Sequence, residues 1–346
     1  MCGRILCRNA SSKADFGMTG VVTVEVGTED DDQRLDRWFK RHYPDLGHGR
    51  LQKMLRTGQV RLDGKRTKAN ARLLAGQSIR VPPMPAPNAN RQPPKKPAKP
   101  VSEGALEELR KRILHQDKDV LAIDKPAGLA VQGGSKTKYH LDGMLDGLQF
   151  DAEERPRLVH RLDKDTSGVL LLGRSRKATA ALTAAFRSHD TRKFYLALLA
   201  GNPKPSQGQI DLALSKKPGK FGESMAPNQI DGKRAITRYQ VLENAGRKVS
   251  LVLMEPLTGR THQLRVHSAF METPILGDGK YGGPEAFPAG TDIPKGLYLH
   301  AWAIKVPHPS SGMLNVCAPP PKQFLSAVKY FGFDPQSFVN PNEYFE

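Results

Sequence analysis

Cysteine is scarce in this chain. Cys2, Cys7 and Cys317 are the whole supply, and none stands in a C-x-x-C pair, so neither a disulfide framework nor a cysteine zinc site can be assembled from them. A reducing, cytoplasmic setting is the expectation. Long apolar runs are absent too: nothing approaches the roughly 18 consecutive apolar residues of a membrane-spanning helix. The opening residues, MCGRILCRNASSKADFG, lack the apolar core of a secretory signal. Acid is in short supply, with 35 Asp and Glu against 53 Lys and Arg, a formal charge of +18. An excess of that size points to a polyanionic partner. A membrane surface would favour one long helix with a broad apolar face, and the sequence offers none, which leaves nucleic acid. Nothing resembles a coiled coil or a swapped strand, so a monomer is expected.

A length of 346 residues suggests two domains at roughly 150 residues each. Between Pro82 and Pro100 fall eight of the 27 prolines, among Ala, Asn, Lys and Arg; such a stretch builds no core and favours extended polyproline conformations. No internal repeat links its two sides, so two different folds are expected. The resulting division is an extension 1–18, a small domain 19–82, a linker 83–105, a larger domain 106–335 and a tail 336–346. The extension reads as dispensable and without fixed structure. Met18, just before the strand-like TGVVTVEV, offers an alternative start; a short organelle presequence is the other reading.

The charge is concentrated in the small domain. From Gln33 to Pro82 there are thirteen basic residues against Asp36, Asp45 and Asp63, thirteen minus three giving +10. Leu35, Trp38 and Phe39, then Leu51, Met54 and Leu55, recur at helical spacing. Gly58 ends the second helix, Val60 and Leu62 alternate with polar neighbours, Asp63-Gly64 signals a hairpin, and Ser78 to Val81 alternates again. The module reads ααββ. Arg50, Lys53 and Arg56 would project away from the apolar stripe of its second helix, and with Arg61, Lys65 and Arg66 they are the candidate RNA contacts; a solvated helix face is the plain alternative.

The larger domain alternates strand-like and helix-like stretches. Val120 to Ile123, Val169 to Leu172, Phe194 to Leu199 and Val249 to Met254 suit central strands, and Lys177 to Arg187 is an Ala-rich helix candidate. A mixed α+β domain is predicted. Just before one strand, HRLDKDTSG at 160–168 crowds ionisable and hydroxyl groups into a loop, a favoured place for catalysis on a rigid scaffold. An Asx or Ser/Thr turn that merely launches the strand explains this composition equally well. Further on, EPLTGRTHQLRVH at 255–267 holds Arg260, His262, Arg265 and His267. If this stretch is helical, Leu264 and Ser268 share one face, as do Thr261 and Arg265. His262 and His267 are five apart, not the four that place two ligands on one helix face, and no cysteine is near, so no metal is expected. A buried Arg265 requires an anion, and Asp163 would serve.

HRLDKDTSG, TGRTHQLRVH at 258–267 and PILGDGKYGG at 274–283 together resemble the RluA family of pseudouridine synthases. The ααββ module looks like an S4 RNA-binding domain, and its combination with a linker and catalytic domain is similar to bacterial large-subunit ribosomal synthases. DKPAGLAVQGGS at 124–135 and HRLDKDTSGVLLLGRS at 160–175 are most similar to the RluC type. The resemblance covers roughly Thr19 to Pro321. It implies a catalytic domain built on a mixed, mainly antiparallel sheet with flanking helices. It also implies that Asp163 is the catalytic aspartate, Arg161 the arginine that helps displace the target nucleotide, and Arg265 the basic partner of the aspartate. By the same resemblance, Tyr195 in KFYLALL stacks on the uracil and Leu264 forms an apolar wall.

Isomerisation breaks the C1′–N1 bond, turns the uracil and joins C5 to C1′. One carboxylate can serve, by attack at C1′ or C6 or by removing a ribose proton, and these routes stay open. The base must be flipped out of its stack, and Tyr195 could replace the lost stacking. No cofactor is required. Other readings are an inert S4-domain ribosome-binding or assembly factor, a synthase acting on tRNA or mitochondrial RNA, and an N-glycosidase, which would release free uracil. Sugar glycosidases of the usual type need two flanking carboxylates, and only Asp163 has a supporting motif.

Overall fold

A computed structural model describes residues 20–83, 103–133, 139–219 and 222–335. The extension 1–18, most of the linker and the tail 336–346 lie outside the described residues. The chain divides into two compact units, Met1–Ala98 and Lys99–Glu346.

In the first unit β1 (Val22–Glu25) precedes α1 (Leu35–His42) and α2 (His48–Arg56), followed by β2 (Arg61–Leu62), β3 (Lys65–Arg66) and β4 (Ser78–Val81). The strands form an antiparallel sheet in the order β1-β4-β2-β3. The ααββ reading therefore lacked two strands, β3 and β1: the alternating VTVE of β1 pairs from Val22↔Val81 to Glu25↔Ser78 and turns Val24 toward the core. The two helical stripes meet, with Leu35, Trp38, Phe39, Leu51, Met54 and Leu55 buried in one cluster with Ile79 and Val81. At the hairpin Asp63 and Gly64 both have positive φ, 48° and 73°, as a two-residue type I′ turn demands. The Asp63 carboxylate accepts the Ser78 N–H at 2.8 Å and fastens the turn to β4.

The second unit opens with α3 (Glu103–Arg110), β5 (Ile113–Gln116), β6 (Val120–Lys125), β7 (Arg157–Leu158), β8 (Ser167–Gly173) and α4 (Arg176–Ser188). Then come β9 (Arg192–Ala200), β10 (Gln207–Asp211), a separate hairpin of β11 (Leu214–Gly219) and β12 (Gly222–Pro227), β13 (Ile236–Ala245) and β14 (Val249–Pro256). The unit closes with α5 (Gln263–Phe270), β15 (Leu299–Pro307), β16 (Met313–Cys317) and α6 (Lys322–Tyr330). Ten strands form one sheet along the path β10-β13-β14-β9-β15-β8-β6-β5, with β16 beside β15 and β7 beside β8. All its pairings are antiparallel except β8 with β15. This is the mixed, mainly antiparallel sheet that the sequence led us to expect.

The apolar run of β8 is explained by burial on both faces. Leu170 and Leu172 pack with Leu121, Ile123 and Leu145, whereas Val169 and Leu171 pack with Val120, Leu182 and Ile304. The second group lies under α4, whose start is capped by Ser175 Oγ accepting the Ala178 N–H at 3.0 Å. The parallel seam itself is short, His300↔Ser167 and Ala301↔Gly168. Ser167 and His300, both buried, bond at 2.9 Å through Oγ and Nδ1, and His300 Nε2 lies 3.1 Å from the Ala318 carbonyl oxygen. Nε2–H must donate to that carbonyl, so Nδ1 accepts the serine hydroxyl. Burial pushes the His300 pKa down to about 4, in keeping with a neutral ring.

Gly168 has φ 110°, and a Cβ on it would stand 2.1 Å from the Ala301 carbonyl oxygen. Gly168→Ala adds strain and overlap together, and about 2–4 kcal/mol of destabilisation is expected. A lower denaturant midpoint for the second unit would register it; an unchanged midpoint would mean that the seam has slack.

Candidate active site

The loop carrying Asp163 is pinned from beneath by Lys125, which is fully buried. Its Nζ donates to the carbonyl oxygens of Pro126, Leu129 and Lys164 at 2.8, 2.9 and 3.0 Å. Burial lowers the Lys125 pKa to about 8, against the pull of Asp165, Asp163 and Asp124. The DKPAG stretch thus holds the residue next to Asp163 by its backbone. At the start of the loop His160 Nε2 accepts the Leu171 N–H at 2.9 Å, and the ring stacks on Phe186 at 4.6 Å. A nitrogen that accepts a hydrogen bond carries no proton, and burial, with Lys193 adding, lowers the His160 pKa to about 3. The sequence reading gave neither residue a role; both are anchors.

A cleft of about 750 Å³ opens beside the loop, and Arg161, Asp163, Tyr195, Leu264 and Arg265 all line it. These five come from three elements: the loop before β8, strand β9 and helix α5. Tyr195 is placed by its pairing with Met254 on one side and Ala301 on the other. Burial raises its pKa, and Asp163 raises it further, so the hydroxyl keeps its proton.

Arg265 departs from expectation. Its fork grips Asp278, Nε to Oδ2 and Nη2 to Oδ1 both at 2.7 Å, while Nη1 stands 4.0 Å from Asp163 Oδ2. The main partner is therefore Asp278, not Asp163. The reason is burial: Asp278 is 1% exposed and Asp163 25%, and a buried guanidinium takes the bidentate partner that is also out of water. Burial opposes the charge on Arg265, but the Asp278 bonds outweigh it and raise its pKa. The sequence signal was the GDG of the third motif, from which no residue was singled out.

Helix α5 begins at Gln263, so Thr261 lies outside it and shares no helix face with Arg265. Gln263 Oε1 accepts from Thr258 Oγ1 at 2.7 Å and from the Arg260 N–H at 3.0 Å, while Nε2 donates to the Ile236 carbonyl at 2.9 Å. This buried amide ties the TGRT turn to β13. The two histidines diverge: His262 lines the cleft with Nε2 3.8 Å from Asp163 Oδ1, whereas His267 is fully buried and does not line it. Among the described residues no group of three or more His, Cys, Asp or Glu is arranged to hold a metal ion.

In the first unit Arg50, Lys53, Arg56, Lys65 and Arg66 are exposed. Arg61 is half-buried and donates to the carbonyls of Gly58 at 3.2 Å and Gly64 at 3.0 Å. It clasps its own hairpin, with the remaining N–H groups of the guanidinium left over.

A single carboxylate in a cleft lined by arginines, with an aromatic ring and an apolar wall, suits chemistry on one planar base. Residues 119–270 match the RNA pseudouridylate synthase family. A Rickettsia bellii protein named ribosomal large subunit pseudouridine synthase C is 36% identical over 273 residues, 78% of this chain and 87% of the relative. One of the same name from Vibrio vulnificus is 33% identical over 314 residues, 90% and 96% of the two chains. The solved structure of human RNA pseudouridylate synthase domain containing 4 superposes with a TM-score of 0.55 at 28% identity, over 66% of this chain and 95% of that one. The chain belongs to the RNA pseudouridylate synthase family, as a member of the RluA/RluC type, and is an isomerase.

Asp278→Asn leaves a buried arginine uncompensated and is expected to cost about 3–5 kcal/mol in stability. It should lower kcat more than it raises KM, as chemical denaturation and steady-state kinetics together would show. Wild-type stability and kcat in this variant would remove Asp278 from the support of the site.

Proposed function

We propose that this chain isomerises specific uridines to pseudouridine in large-subunit ribosomal RNA, with Asp163 as the reacting carboxylate. The observation that carries this is Asp163 itself, in a 750 Å³ cleft with Arg265 4.0 Å and His262 3.8 Å away. The large-subunit target is supported by the names of the relatives. In this reading Tyr195 stacks on the flipped uracil, Leu264 walls the pocket, Arg161 at its exposed rim helps displace the nucleotide, and Arg265 orients Asp163. No metal or cofactor takes part.

We further propose that residues 19–82 are an S4-like RNA-binding domain and 106–335 the catalytic domain of a cytoplasmic monomer. The exposed cations of α2 and the β2–β3 hairpin support the first part. Among the described residues no helix is long and apolar enough to cross a membrane.

Pseudouridine mapping of ribosomal RNA from cells with and without the gene tests the target. Restoring the gene with Asp163→Asn should leave the sites unmodified while the protein folds and binds RNA, because the amide keeps shape but loses nucleophilicity and basicity. Modification at wild-type levels would remove Asp163 from the mechanism.

The small domain makes a separate forecast. Phosphate contacts release counterions, so log affinity should fall with log salt by about 0.7–0.9 per contact. Replacing Arg50, Lys53 and Arg56 together by Ala should flatten that slope by about two to three and leave kcat at saturating RNA unchanged. An unaltered slope would assign these side chains to a solvated face.

A further inference from the structure

We propose that His262 is the base that removes the C5 proton once the uracil has been rejoined to the ribose through C5. The inference rests on Asp163 being the reacting carboxylate. When C1′–N1 has broken and C1′–C5 has formed, C5 is tetrahedral and still bears its hydrogen, and N1 is doubly bonded to C6. Removal of that proton turns the C5–H pair into the C5=C6 double bond. The N1=C6 pair moves onto N1, which takes a proton back from the imidazolium or from water. The product is an isomer of the substrate, and no oxidant or reductant enters.

His262 is built for the task. It lines the same cleft as Asp163, with Nε2 3.8 Å from Asp163 Oδ1, so both groups address one small reaction volume. Its φ of 53° at the head of α5 is a left-handed conformation that non-glycine residues adopt only where their surroundings impose it. On its far side Nδ1 lies 2.5 Å from the Tyr281 hydroxyl oxygen, which also accepts the Met225 N–H at 3.1 Å. The hydroxyl fits either tautomer: its second lone pair accepts from Nδ1–H, or its own hydrogen is donated to Nδ1. The proposed role uses the first tautomer, in which the Nε2 lone pair faces the cleft. Arg265, Lys280, Asp278 and Tyr281 are the other ionisable groups around the ring. Burial lowers the His262 pKa, Arg265 and Lys280 lower it too, and Asp163 and Asp278 resist. A lowered pKa favours the neutral ring, the form a base must take. Tyr281, in KYGG, acts through His262 and is a positioning residue.

The full chain is assayed in single turnovers on RNA carrying uridine, 5-deuterouridine or 5-fluorouridine at a mapped site. His262→Gln should lose about 10²–10³-fold in rate on uridine, with a primary isotope effect from deuterium at C5; Tyr281→Phe should show the same effect with a smaller loss. The acid limb of the wild-type rate profile, at pH below the ordinary imidazole value of about 6.5, should vanish in His262→Gln. Because 5-fluorouridine has no proton at C5, both variants should convert it far closer to the wild-type rate than they convert uridine. Equal losses on the fluorinated and natural substrates, or the absence of an isotope effect in both variants, would overturn the proposal. Asp163→Asn should block both substrates; turnover by that variant would sink the underlying reading instead.

Discussion

Two strands meet in parallel at Ser167–Gly168 and His300–Ala301, in a sheet otherwise antiparallel throughout, and the geometry of the cleft depends on how closely they approach. The missing Cβ of Gly168 admits the Ala301 carbonyl, and the Ser167–His300 hydrogen bond locks the register. β8 is thereby fixed against β15, and β15 against β9. The loop that ends in β8 then delivers Asp163 to the cleft that Tyr195 of β9 also lines. A shift of one residue at this seam would turn the side chains of β8 to the opposite faces.

Electrostatic work at the site is divided between two carboxylates. Asp278 takes the bidentate grip of Arg265 and is almost wholly out of water. Asp163 keeps contact with solvent and has the same cation at a longer distance. A carboxylate locked into a two-point ion pair is stable but poorly placed to react. The arrangement leaves Asp163 with a nearby positive charge and without a rigid partner, and Lys125 and His160 supply the rigidity through the backbone instead.

Much of this was legible in the chain. Alternation and apolar runs located β6, β8, β9 and β14, because strands buried on both faces must be apolar at nearly every position. Helical spacing located α1 and α2, and Ala-rich composition α4. β1 was left out of the ααββ reading because a short strand is recognisable as part of a sheet only once its partner, β4, is known. His262 and Asp278 escaped for a related cause. Each lay within a quoted motif, but nothing in a linear string says that residues 262 and 281, or 265 and 278, face one another.

The sequence by itself placed a +10 charge in one short module, which points to a polyanionic partner, and placed Asp163 in HRLDKDTSG, one of the three motifs on which the family resemblance rests. These are properties of residue type and order, carried by local chemistry. Only the tertiary structure decided which carboxylate holds Arg265, which nitrogen of His262 faces Asp163, and why Gly168 and Lys125 are needed where they stand. Those are matters of burial and of distances across strands. They depend on which groups lose their water together when the sheet forms, and residues far apart along the chain acquire that relation only in the folded state.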